Sequence, residues 1–107
     1  MEVKIDKSNG LSGVEIETDS IRTSLNYGIR PVYADLTTAL NIKTDRQLLF
    51  YSTCGCTVAT PEKTDSGYIL RVKYDALKTG AFGKTLEIID AGIQKKTHEI
   101  ILRGLIK

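Results

Sequence analysis

The chain has 107 residues, with 15 Lys and Arg against 13 Asp and Glu, two cysteines, one histidine and no tryptophan. That length suits one domain with a single core that needs no staples. A hydrophobic content of 41% and a charged content of 26% argue against disorder, collagen-like repeats and coiled coil. The net charge is +2, and the adjacent basic pair Lys95-Lys96 is flanked by Asp90 and Glu99, so no basic face for nucleic acid is expected.

In chain order the apolar period is two. Val3 and Ile5 alternate with Glu2, Lys4 and Asp6, which predicts a strand near 2–6. Ser8-Asn9-Gly10 and Ser12-Gly13 break the chain before Val14, Ile16 and Thr18, a second strand near 13–18. A third is read near 20–26, and Ala34, Leu36, Thr38, Leu40 and Ile42 share one parity of a fourth near 33–42. Thr44-Asp45-Arg46 then turns the chain into strands near 47–53 and 56–60. After Asp65-Ser66-Gly67, Tyr68, Leu70, Val72 and Tyr74 oppose Arg71, Lys73 and Asp75 on a strand near 68–74. Asp75–Lys78 is too short to be more than a turn. Gly80 and Gly83 read as a hairpin turn that tucks Phe82 inward, ahead of strands near 84–90 and 97–106. Strict alternation marks strands with one buried and one wet face, as in antiparallel sheets. The expectation is an all-β, immunoglobulin-like antiparallel sandwich of seven to nine short strands, with Leu36, Leu40, Phe50, Leu70, Val72, Leu86, Ile100 and Leu102 in its core.

From Leu25 onward the chain resembles the ASH-like branch of immunoglobulin-fold modules, relatives of the major sperm protein, and a bacterial family of unknown function with a Cys-Gly-Cys-Thr box. The matching pieces are Tyr27-Gly28, Leu48-Leu49-Phe50, the box Cys54-Gly55-Cys56-Thr57 with Pro61, the segment Gly80-Ala81-Phe82-Gly83-Lys84, and the closing Ile100-x-Leu102-x-Gly104-x-Ile106. The resemblance implies a domain over 25–107 used for protein–protein attachment, with no catalytic residues to carry over. Residues 1–24 stand outside it as an arm or extra strands. Family members commonly carry a secretory signal, whereas Met1–Asp6 alternates charged and apolar residues and does not read as one.

Cys54 and Cys56 admit three readings: two reduced thiols facing the core beside Phe50 and Val58, a strained Cys54–Cys56 disulfide bent at Gly55, or metal ligation together with His98. Zinc sites usually take four ligands with wider cysteine spacing, and cytoplasmic chains seldom hold disulfides, so the first is the expectation. No metal and no cofactor is expected. His98 shares parity with Ile100 and Leu102 and reads as an inward, hydrogen-bonded residue; without an orienting group it makes a poor base for either cysteine. No acidic run has calcium-loop spacing, and Gly80-x-x-Gly83 lacks the residues of a phosphate loop. A non-enzymatic binding protein is therefore expected.

The uncharged run Leu48–Pro61 is too short, and too rich in Ser, Thr and Gly, to cross a bilayer as a helix, so no membrane partner is expected. Together these readings suggest a structural protein that binds other proteins. One concrete home is a bacteriophage virion, as a capsid auxiliary (decoration) protein assembled in the host cytoplasm. The alternative is a periplasmic or cell-envelope binding module, redox- or metal-linked through its cysteines. The alternating arm residues Val3, Ile5, Val14 and Ile16 need an apolar surface and are read as partner-binding, part of that surface coming from a neighbouring subunit. The alternative is that both strands simply complete the domain's own sheets, a reading that suits 13–18 better than 1–8.

Overall fold

The computed structural model describes residues 2–5, 14–16, 22–52 and 55–107. Among them lie nine strands: β1 (Glu2–Lys4), β2 (Val14–Ile16), β3 (Arg22–Arg30), β4 (Asp35–Lys43), β5 (Leu48–Ser52), β6 (Thr57–Lys63), β7 (Gly67–Asp75), β8 (Gly80–Asp90) and β9 (Lys95–Ile106). No described residue is helical. The strands form a five-stranded sheet in the order β1-β3-β9-β8-β5 and a four-stranded sheet in the order β2-β4-β7-β6. Their apolar faces meet as a sandwich, and Leu25, Leu36, Leu40, Leu70, Leu86, Ile100 and Leu102 are sealed from solvent between them.

The sheets are mixed, where wholly antiparallel ones were expected. β1 and β9 both run parallel to β3, and β2 runs parallel to β4, while the remaining pairings are antiparallel. The reason is that alternation reports one-sided burial and says nothing of a neighbour's direction. Thr23, Leu25 and Tyr27 alternate inward on β3 although both its neighbours are parallel to it.

Seven of the eight expected core residues are buried, and Phe50 is only half-buried because β5 ends its sheet. Inside, Phe50 meets Tyr68 edge-on at 5.4 Å between ring centroids. A larger departure follows at β6, where Thr57 is buried and Val58 is 50% exposed. Between Ser52 and Thr57 the chain leaves one sheet for the other, and a parity counted along β5 does not survive that crossing. Gly80–Gly83 is also strand, not turn: β8 already pairs Gly80 with Ile106, and Phe82 is buried as expected.

Glycine geometry shapes the sheets at Gly28 and at Gly67. Gly28 has φ +67° at the bulge between Asn26 and Ile29, where β3 shifts register against β9. Gly67 has φ +154°, and a Cβ there would stand 1.9 Å from the Ile42 carbonyl oxygen. The antiparallel pairing of Lys43 with Gly67 depends on that close approach.

The sandwich has two ends. At the upper end lie the turns 44–47, 64–66 and 91–94; at the lower end lie the turns 31–34 and 76–79 and residues 55–56.

Candidate functional site

Cys56 is half-buried in the lower-end turn before β6, and its carbonyl accepts the Asp75 N–H at 2.9 Å. Its sulfur is disulfide-bonded. The chain has one other cysteine, Cys54, which lies outside the described residues. The expected pair of reduced, core-facing thiols is thereby corrected: Cys56 lies in a turn, ahead of the inward-facing Thr57, with its sulfur in a covalent bridge. His98 sits at the other end of the molecule, paired with Ile88 near the start of β9. It is 4% exposed, and its Nε2 lies 2.9 Å from Thr23 Oγ1. The fold thus puts Cys56 in the turn before β6 and His98 in the wall of the upper-end cavity, and no cluster of three metal-ligating side chains forms among the described residues.

The arm strands are covered inside this chain. Ile5, Val14 and Ile16 are buried in the core, and Val3 packs against it. β1 extends one sheet beside β3 and β2 extends the other beside β4, so the arm is shared between both layers. Polar ties reinforce β1: the Ile5 N–H donates to the Asn26 carbonyl at 2.8 Å, Arg30 donates to the Ile5 carbonyl, and Arg103 pairs with Glu2. The apolar cover that these four residues need is supplied at least in part by this chain's own core, as the alternative reading of the arm has it.

At the upper end a cavity of about 490 Å³ opens between the sheets, within the size range of small-molecule sites. Ile16, Ile42, Leu48, Ile88 and Ile93 give it apolar walls, and Arg46, Asp90 and His98 supply polar groups. Two of these polar groups, Arg46 and Asp90, are committed to each other. Asp90, 2% exposed, accepts from Arg46 Nη1 at 2.8 Å and from the Gly92 N–H at 2.8 Å. Burial acts to raise the Asp90 pKa, but the Arg46 guanidinium and the backbone N–H groups of Gly92 and Ile93 outweigh it and hold the carboxyl below its ordinary range. Asp90 therefore clamps the 91–94 turn to the 44–47 turn as a permanent anion. A base for proton transfer needs the opposite tuning, a pKa near the working pH. Sequence reasoning missed this clamp, because nothing in the spacing of Arg46 and Asp90 reports their contact.

The sheet edges differ sharply from one another. Exposed edge strands expose unpaired backbone groups, and natural proteins guard them with charge, proline or shortness. β1 and β2 are three residues long and carry Glu2, Lys4 and Glu15. β6 carries Pro61, Glu62 and Lys63, with Glu62 bound to Arg71 at 2.9 Å. β5 reads Leu48-Leu49-Phe50-Tyr51-Ser52, without charge or proline. Leu49 and Tyr51 point outward at 50% and 63% exposure. Its uncharged run was visible in the sequence; its position at the end of a sheet was not. At the lower end Tyr33 (79% exposed) and Leu77 (62%) stand on turns joined by the Tyr33 N–H to Ala76 carbonyl bond at 2.7 Å, with Tyr33 held at φ 68°.

No protein-family model matches the chain, and no curated protein matches it. The resemblance to the Cys-Gly-Cys-Thr family thus rests on the quoted residues alone.

Proposed function

We propose that this chain is a non-enzymatic assembly module, an immunoglobulin-like sandwich that attaches to other protein subunits by adding its β5 edge to a partner's strand. The observation that carries this reading is the contrast among edges: three are short or guarded by charge or proline, and β5 is neither. The immunoglobulin-like reading is supported by the strand order. Lettered A to G from β3 to β9, strands B, E and D are neighbours in one sheet and C, F and G in the other. β1 and β2 are additions to that scheme. The test is capture of partners from the source by the wild-type chain and by Tyr51→Lys. Loss of the partner in the variant, with an unchanged melting temperature, supports attachment through β5. Equal capture by both overturns it.

Two homes suit such a module, a bacteriophage capsid and a bacterial envelope. The disulfide at Cys56 favours the envelope, because disulfides persist in oxidising compartments. Intact mass of the native protein with and without reductant, beside mass spectrometry of purified virions, separates the two. An oxidised chain absent from virions supports the envelope, and a reduced chain within them supports the capsid.

A further inference from the structure

We infer that the β5 edge takes a second copy of this chain, joined antiparallel about a two-fold axis through Phe50. The inference rests on the strand-addition reading and names its partner. The first support is backbone direction. The Gln47 carbonyl accepts the Ala91 N–H at 2.9 Å and so points toward β8, whereas the Leu48 N–H points away from β8 to the Tyr68 hydroxyl at 3.1 Å. Alternation then turns the N–H and C=O of Leu49 and Tyr51 toward β8 and those of Phe50 toward the open edge. Phe50 is the middle residue of the five-residue strand. Two copies related by a two-fold axis there exchange both Phe50 backbone bonds at the centre.

The second support is the register this centre dictates. It sets Leu49 opposite Tyr51 of the other copy, twice, as the closer, non-hydrogen-bonded kind of cross-strand pair. Both side chains already face outward and half or more of each is exposed. The half-buried Phe50 rings meet across the axis on the inner face and complete their cover. No charged residue of β5 opposes a like charge, since β5 has none. The edge is complementary to itself, which the guarded edges are not: β6 in any antiparallel self-pairing must place Pro61, Glu62 and Lys63 against a copy of its own ladder.

The third support is closure. A molecule with two unguarded edges would polymerise, but among the described strands β5 is the one unguarded edge, and its use in an isologous contact leaves a finished dimer. Each guarded outer edge then becomes an outer edge of the dimer. A ladder centred on Phe50, with the Leu48 N–H already given to the Tyr68 hydroxyl, is a small interface, so the dimer is concentration-dependent, at the weak end of specific association.

The test is sedimentation velocity over a range of concentrations on the full chain and two double variants. In Leu49→Lys with Tyr51→Lys, two lysine pairs oppose each other across the axis, and the dissociation constant rises at least about tenfold. In Leu49→Glu with Tyr51→Lys, the same register sets each Glu opposite a Lys, and dimerisation returns to within about threefold of wild type. Both variants change exposed positions and keep the wild-type melting temperature, which controls for misfolding. A wild-type chain that stays monomeric at high concentration overturns the dimer. So does a dimer that both variants disrupt equally, because the register is then different, and so does growth into open-ended oligomers. If the chain is monomeric yet loses a foreign partner through Tyr51→Lys, the attachment reading survives and the self-pairing does not.

Discussion

The two ends of the sandwich are closed by different chemistry. At the lower end the closure is aromatic. Tyr74 stacks on Phe82 at 4.0 Å with their planes 6° apart, and Tyr27 adds its ring at 6.3 Å from Phe82. Tyr27 also spans the layers, its hydroxyl 2.7 Å from that of Thr38 in the opposite sheet, both groups buried. At the upper end the closure is ionic, the Arg46–Asp90 clamp at 2.8 Å, and a cavity remains beneath it. The comparison teaches how packing and polarity divide the work. Stacked rings fill volume between the layers, whereas an ion pair fixes two turns at a point without filling the space between.

The largest effect is expected from breaking the aromatic end. Phe82→Ala removes a buried ring from the stack, and chemical denaturation should show a loss of about 3–5 kcal/mol. A loss under 1 kcal/mol would show that the lower end is not closed by packing.

Tyr27→Phe sharpens the same end, because it deletes one hydroxyl and strands that of Thr38. About 1–3 kcal/mol should be lost. Burial pushes the Tyr27 pKa up to about 12, against the opposing pull of the Thr38 hydrogen bond and the Arg30 charge. The folded state therefore holds this proton more tightly than the unfolded chain. Its contribution is full below pH about 10 and is lost as pH rises toward 12, a difference of roughly 3 kcal/mol for two units. In Tyr27→Phe this part of the alkaline loss should vanish, and a pH series of unfolding midpoints would record it.

At the ionic end the sign is reversed. Asp90 has a depressed pKa, so its contribution is present above the unfolded carboxylate value of about 3.9 and is lost as pH falls through the lower folded value. Asp90→Asn should flatten the acid limb of stability and leave the alkaline limb as in wild type. Its effect at neutral pH should be smaller than that of either aromatic change, because Arg46 is 62% exposed and solvent screens the pair. An unchanged acid limb would show that the clamp contributes nothing.

The smallest stability effect is expected between the two ends, on the outer face of β5. Tyr51→Lys should shift the unfolding free energy by no more than about 0.5 kcal/mol, since its side chain is 63% exposed. Its effect should appear in association alone. A marked loss of stability would mean that Tyr51 belongs to the core.

The strands and their inward residues were legible in the sequence. All nine expected strands have a counterpart among the described residues, and most carry a run of period-two residues bounded by turn chemistry. Phe82 tucks inward and His98 lies buried against a partner, as their parities implied. Val58 broke the pattern because a parity is a local count, and the crossing between Ser52 and Thr57 resets it. The arm residues Ile5, Val14 and Ile16 were read correctly as needing cover, but the sequence could not say whose surface supplies it.

By itself, then, the sequence determined the all-β class, most of the turns and the dry side of most strands, since these follow from local geometry and hydrophobic period; it misplaced the turn at Gly80–Gly83 and the inward face at Val58. Tertiary structure alone decided who neighbours whom: that β3 lies parallel to β9, that Arg46 meets Asp90, that Cys56 and His98 occupy opposite ends, and that the uncharged β5 is an edge. The physical reason is that hydrogen bonding between strands is generic to the backbone, so side-chain alternation limits the possible neighbours without choosing among them. The choice falls to whichever packing buries all the dry faces at once.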